Sequence, residues 1–138
     1  WTFALKQAPT LRVDMRSVSP AALAGLTAGE VARHGVWHGN EAVALGDLFS
    51  ITAGAEHELR FEGDLSRFDR IGWQLAGGTV RIDGHAGDYL GAGMSAGEVV
   101  ASGGAGMLAA CEMSGGRLEV GGNIGDFAAS GLPGSMDG

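Results

Sequence analysis

The sequence predicts a mainly β protein, a right-handed parallel β-helix with about 19 residues per coil behind a small α+β lead-in. Three observations carry that expectation. The same 19-residue line is written three times, over residues 75–93 (LAGGTVRIDGHAGDYLGAG), 94–112 (MSAGEVVASGGAGMLAACE) and 113–131 (MSGGRLEVGGNIGDFAASG). Stacked, the lines share three all-glycine columns: Gly78, Gly97 and Gly116; Gly84, Gly103 and Gly122; Gly87, Gly106 and Gly125. Between the first two columns, Val80 and Ile82, Val99 and Ala101, and Leu118 and Val120 alternate with mostly polar neighbours, the period of a strand with one buried face. A period near 20 with no helical pattern inside it marks a solenoid in which each repeat is one turn. A strand with a crossover helix needs roughly 30 residues, so no helix fits inside a repeat. The right hand follows from the usual chirality of parallel connections.

Taken in order, residues 1–5 (WTFAL) and 11–15 (LRVDM) read as short strands around a turn at Ala8, Pro9 and Thr10. Ser19 before Pro20 is an N-cap with proline in the first helical position, and Gly25 closes that brief helix. Thr27 with Glu30 forms a capping-box pattern for a second helix through Arg33, stopped near Gly35. Residues 42–51 (AVALGDLFSI) alternate again, broken at Gly46 and Asp47. Residues 1–45 are thus a strand-and-helix lead-in expected to plug the open apolar end of a solenoid spanning 46–138. In residues 57–63 (HELRFEG), Leu59 and Phe61 match Val80 and Ile82 at a spacing of 21, which places two extra residues in the loop 64–70 (DLSRFDR).

Stacking makes identical columns into ladders. Leu75, Met94 and Met113 form one, Val80, Val99 and Leu118 another, and Tyr89, Leu108 and Phe127 are expected to point inward. The small column of Gly72, Gly91, Ala110 and Ala129 suits a tight corner, and Glu98 should stand beside Arg117 outside. Near the end, Pro133 and Gly134 break register and Met136 comes four positions too late for the column of Met113, a bulge in an outer loop. The last line stops in mid-coil at Gly138, so further chain is expected.

A net charge of −7 with nine scattered basic residues argues against a nucleic-acid partner. The sequence shows neither an apolar run of about 20 residues nor a charged-then-apolar leader, and one cysteine fits a reducing compartment; no membrane role and a cytoplasmic location are expected. His34 and His38 are four apart, but Gly35 lies between them and no carboxylate follows at ligand spacing. His85 falls at a corner, and Cys111 beside Glu112 reads as a packed, inert thiol. Asp88 and Asp126 share a column two coils apart, about 10 Å, too far to share a proton. The run 121–126 (GGNIGD) imitates a calcium-binding nonapeptide with the wrong period, and Gly77 with Gly78 lacks the lysine and helix of a phosphate loop. No catalytic, cofactor-binding or metal-binding residue is expected on this chain; the residues singled out are the structural glycines of the three columns.

The repeated GG, V-x-I-x-G and xxGD pattern, above all 84–97 (GHAGDYLGAGMSAG) and 121–127 (GGNIGDF), resembles the glycine-repeat β-helix shared by the large subunit of glutamate synthase and the C (gamma) subunit of formylmethanofuran dehydrogenase. The lead-in segments WTFAL, GLTAGEVARH and ALGDLFSI look like those of the second family. That resemblance implies a non-catalytic scaffold in a hetero-oligomeric complex. In archaea such complexes interconvert carbon dioxide and a formyl group with molybdenum or tungsten and iron–sulfur subunits. In methylotrophic bacteria a related formyltransferase/hydrolase complex moves the formyl group from tetrahydromethanopterin to a furan carrier and releases formate. There an amidohydrolase-like subunit binds metal and a separate subunit transfers the formyl group. The bacterial version is the expectation, with a methanofuran-type carrier and a metal held by partner subunits; the alternatives are the archaeal complex and a glutamate synthase GXGXG domain. Arg81, Glu98, Arg117 and Glu119 are candidates for a contacting face.

Overall fold

A computed structural model of the chain describes residues 1–55 and 57–122. In chain order the elements are β1 (Thr2–Leu5), β2 (Val13–Asp14), α1 (Pro20–Leu23), α2 (Ala28–Arg33), β3 (Gly35–His38), β4 (Glu41–Ala44), α3 (Leu45–Leu48) and β5 (Phe49–Thr52). The coils follow with β6 (Glu58–Glu62), β7 (Phe68–Asp69), β8 (Ala76–Asp83), β9 (Ala96–Ala101) and β10 (Arg117–Val120).

Strands β6, β8, β9 and β10 stack in parallel in the register that the repeats dictate. Leu59 pairs with Val80, Val80 with Val99, and Val99 with Leu118, all of them buried. Backbone bonds join the coils outside the strands too: the Tyr89 N–H donates to the Met107 carbonyl at 2.9 Å, Gln74 to Ala92 at 2.8 Å and Gly93 to Cys111 at 2.8 Å. The predicted β-solenoid is the observed fold.

One corner differs from the expectation. Arg70, Gly72 and Gln74 have positive φ, and so do Tyr89, Gly91 and Gly93 one coil later and Leu108, Ala110 and Glu112 a coil after that. Turn bonds from Trp73 to Arg70 and from Leu75 to Gly72 recur at the same place in the next two coils, so this corner is two linked turns with positive φ at the third residue, as a type II turn requires. Left-handed backbone at alternate residues turns the intervening side chains inward. Ile71, Leu90 and Ala109 therefore form the buried column, while Tyr89 and Leu108 are only half-buried. Phe127 lies outside the described residues, as do Ala129 and the register break at 133–136.

The two extra residues of the first coil are Ser66 and Arg67. Leu65 bridges Ala86, 21 positions on, whereas Gly87 donates to Phe68, 19 positions back. They reach the lead-in: Arg67 Nη1 donates to the carbonyls of Pro9 and Thr10, each at 2.9 Å, and the Ser66 carbonyl accepts from Arg12 Nη2 at 3.1 Å.

The lead-in continues the stack as well as closing it. β1 lies parallel to β6 with Phe3 opposite Phe61, and β5 pairs antiparallel on the far side of β1. β2 lies parallel to β7 in a second sheet, order β4-β3-β2-β7. The two strands on either side of the Pro9 turn thus belong to different sheets, because each runs along a different face of the first coil. Phe3 stacks on Phe61 at 4.9 Å and Phe49 tilts against Phe68 at 5.2 Å, so four buried rings fill the open end. The caps form as the sequence indicates. Ser19 Oγ accepts from the Ala22 N–H at 3.0 Å; Thr27 Oγ1 accepts from Glu30 N–H at 3.2 Å while Glu30 Oε1 accepts from Thr27 N–H at 3.0 Å.

Candidate functional site

The column glycines sit where a side chain has no room. Gly78, Gly97 and Gly116 have φ of 80°, 86° and 80°, and a β-carbon on Gly97 would lie 2.6 Å from the Gly78 carbonyl oxygen. Gly103 and Gly122 press on the backbone of the preceding coil, with β-carbons that would come within 2.7 and 2.8 Å of it, and Gly84 lies against the Gly63 carbonyl in the same way. Gly87 packs against the Phe68 carbonyl and Gly106 against Asp88 Oδ1. Gly125 lies outside the described residues. These columns make coil stacking at roughly 4.8 Å sterically possible.

His34, His38 and His85 are spread along the stack, and each is hydrogen-bonded. His34 Nε2 is 3.0 Å from the Ser17 carbonyl oxygen, and His38 Nε2 accepts from the Leu11 N–H at 3.1 Å. His85 Nδ1 accepts from Gly104 N–H, its counterpart one coil on, at 2.8 Å. Cys111 is a half-buried free thiol. Among the described residues no three His, Cys, Asp or Glu side chains form a group that could hold a metal ion. Clefts of about 340 and 630 Å³ flank α1; His57 lines both, with Glu58 in the first and Arg16, Trp73, Gly77 and Gly78 in the second.

The aspartate of the GD motif has a mechanical role that its own repeat does not spell out. Asp88 Oδ1 accepts from the Met107 N–H at 2.9 Å, and Asp69 Oδ1 accepts from the Asp88 N–H at 2.9 Å. Each carboxylate thereby ties down the same column one coil later. Asp69 stands one full repeat before Asp88, so extending the stacked lines upstream reveals the ladder. Asp126 lies outside the described residues. Arg12 clamps the base of this ladder, with Nε 2.8 Å from Asp69 Oδ2, Nη2 2.5 Å from Asp69 Oδ1 and Nη2 3.5 Å from Asp88 Oδ2. The hydrogen bond to Asp69 raises the Arg12 pKa further above its ordinary value, against the opposing effect of burial. Beside it Asp14 meets Arg70 at 3.3 Å and Arg16 at 3.6 Å, and the Arg70 guanidinium lies 5.0 Å from the Tyr89 ring centre and 5.4 Å from that of Trp73.

The register aligns these groups into one outward row. Ala42 is opposite Trp37, Trp37 opposite Asp14, and Asp14 opposite Asp69, with Asp88 and Met107 next along the ladder. On the other sheet the outer face is a lattice of ion pairs: Arg60 with Asp83 at 2.8 Å, Arg81 with Glu58 at 3.4 Å, and Arg117 with Glu98 at 3.3 Å and with Glu119.

No family model matches the chain. Over 79 residues, 57% of this chain, it is 34% identical to the C subunit of the formyltransferase/hydrolase complex Fhc of Methylorubrum extorquens, a match covering 30% of that protein. It is 34% identical over 87 residues, 59% of its length, to the C subunit of the molybdenum-containing formylmethanofuran dehydrogenase 1 of Methanosarcina barkeri, covering 29% of that relative. Its homologues are C subunits. All of this chain, lead-in included, also superposes with a TM-score of 0.85 and 32% identity on 53% of a chain in the crystal structure of the formyltransferase/hydrolase complex (FhcABCD) from Methylorubrum extorquens in complex with methylofuran. The matches thus span about a third of these C-subunit relatives and about half of the solved chain. Of the two families sharing the glycine repeat, the formylmethanofuran dehydrogenase C-subunit family is the one the comparisons support. Among the described residues, no helix is long and apolar enough to cross a membrane.

Proposed function

We propose that this chain is a non-catalytic scaffold within the C subunit of a formyltransferase/hydrolase complex. The complex would convert formyl-tetrahydromethanopterin to formate through a methanofuran-type carrier in one-carbon oxidation. The observation that carries this reading is the superposition of the entire chain, at 32% identity, on a chain of the FhcABCD complex. The commitment of Asp69, Asp88 and His85 to joining adjacent coils supports a mechanical role. A stack tied at strands, corners and side chains is stiff, so it holds attached subunits in fixed relation. Its contribution to formyl transfer is proximity and orientation. The carrier and the metal belong to partner subunits, one amidohydrolase-like and one a formyltransferase, and the assembly is cytoplasmic.

The test is purification of the native protein from its own host. Co-elution in fixed stoichiometry with two subunits identified as a formyltransferase and an amidohydrolase-like protein is the expected result. Elution as a monomer competent in formyl transfer overturns the reading. The 34% identity to the Methanosarcina protein favours a second reading, a formylmethanofuran dehydrogenase complex, and stoichiometric molybdenum or tungsten in the purified assembly would select it.

A further inference from the structure

We propose that His85 is a proton-operated switch between coils: the neutral imidazole ties down the coil of β9 by accepting from the Gly104 N–H, and the imidazolium releases Gly104 and turns to the Asp64 carboxylate of the preceding coil. The proposal goes beyond the scaffold reading and does not depend on it. Asp64, His85 and Gly104 occupy one corner column. The Leu65 N–H donates to the His85 carbonyl at 2.9 Å and Leu65 bridges Ala86 in parallel, which sets the Asp64 backbone beside that of His85, one coil spacing or about 4.8 Å away. On the other side the Ala86 N–H donates to the Gly104 carbonyl at 2.8 Å, and His85 Nδ1 lies 2.8 Å from the Gly104 nitrogen. The residue thus stands between a donor on the following coil and an acceptor on the preceding one.

A backbone N–H can only donate, so Nδ1 must offer a lone pair and the ring proton of His85 sits on Nε2. Imidazolium has no such lone pair. Histidine changes charge between about pH 5 and 8, and a proton gained at Nδ1 sets two N–H groups face to face. Gly104 then loses its partner, while Asp64 gains an opposite charge beside it. Asp64 stays ionised across that range: hydrogen bonding to Ser66, with smaller contributions from the charges of His85 and Arg67, holds its carboxyl below the ordinary 3.8. The other charges around this corner are engaged. Arg67 Nη1 serves the Pro9 and Thr10 carbonyls, Asp83 takes Arg60, and Asp88 holds the Met107 N–H and Arg12. The facing stretch of the next coil, residues 102–106 (SGGAG), carries no charge. The bonds on either side of the switch, from Gly103 N–H to the Gly84 carbonyl and from Ala86 N–H to the Gly104 carbonyl, need no imidazole, so the release is confined to one amide. His34 is the contrast: its Nε2 meets the Ser17 carbonyl, an acceptor, so a proton gained by that ring leaves the bond in place.

Hydrogen exchange in the full-length native protein tests this, read at single amides by mass spectrometry with electron-transfer fragmentation between about pH 8 and 5 and corrected for intrinsic exchange. The readout must be local, because His38 also accepts an N–H, from Leu11, and adds to any global loss in acid. Protection at Gly104 is expected to fall about fivefold or more in a single-proton step, with Gly103 changing less than about twofold. His85→Asn puts an amide oxygen where Nδ1 stands and cannot titrate, so Gly104 should stay protected at every pH, whereas His85→Ala should leave it at the low value throughout. Asp64→Asn should move the step to more acid pH, because the imidazolium then lacks its opposite charge. Constant protection in the unsubstituted protein, or the same acid step in His85→Asn, overturns the switch. A step that Asp64→Asn leaves in place overturns the turn toward Asp64.

Discussion

At the level of single residues, this fold is governed by where a β-carbon can go. Gly97 combines a φ of 86° with a carbonyl oxygen 2.6 Å from the missing β-carbon, so Gly97→Val must both strain the backbone and push coils apart. A loss of about 3 kcal/mol or more is expected in urea denaturation. Its neighbour Glu98, joined to Arg117 across an exposed rung, should lose less than about 1 kcal/mol as Glu98→Ala. The corner makes the opposite prediction. Glu112 is exposed and occupies at φ 57° the column where the preceding coil has Gly93. Glu112→Gly should therefore stabilise the protein by about 1 kcal/mol in the same assay, since the left-handed strain is relieved with little packing lost. The glycine columns are legible because periodicity writes them out, but the corner is not. Arg70, Gln74, Tyr89 and Leu108 give no compositional sign of positive φ, so the pattern alone points Tyr89 and Leu108 inward when the residue after each is the buried one.

Among the elements, the loop between β6 and β7 decides how the lead-in attaches. Arg67 holds the Pro9 and Thr10 carbonyls, and the spacing of the columns locates an insertion there without showing its purpose, because a contact so distant in the chain leaves no local pattern. Arg67→Ala should speed amide hydrogen exchange through residues 11–13 while leaving β8 and β9 protected. The turn that starts the insertion is tuned by Asp64, whose Oδ1 accepts from the Ser66 N–H at 3.1 Å. Hydrogen bonding to Ser66 lowers the Asp64 pKa below its ordinary 3.8. A folded-state pKa below the unfolded one adds stability above the unfolded value and loses it as pH falls through the folded one. The thermal midpoint of Asp64→Asn should accordingly lie below that of the unsubstituted protein near neutral pH, and the gap should close below about pH 4. A gap that persists unchanged into acid would assign the turn's stability to geometry alone.

Across the whole molecule, the lead-in and the coils share a single apolar interior. One continuous cluster of buried residues runs from Phe3 and Val13 through Phe61 and Phe68 to Val99 and Leu118, and both sheets of the lead-in pair directly with the first coil. The sequence divides the chain at residue 45 because its periodicity changes there; periodicity reports local pattern, whereas β1 joins β6 across the full length of the lead-in. Repeat proteins lose cooperativity when the interfaces between units are weak compared with the units themselves. Here the interface contains the stacked Phe3 and Phe61 rings, so separating the two sides would expose an aromatic end on each to water. Trp1 and Trp37 report on the lead-in and Trp73 on the coils. Single-tryptophan variants retaining Trp37 or Trp73 should therefore unfold in urea with coincident midpoints, and Phe61→Ala, at a cost of about 3–5 kcal/mol, should lower both midpoints together. Separate transitions for the two reporters, with Phe61→Ala moving only one, would mean that the coils hold their shape without the lead-in and that the four-ring cluster is a dispensable lid.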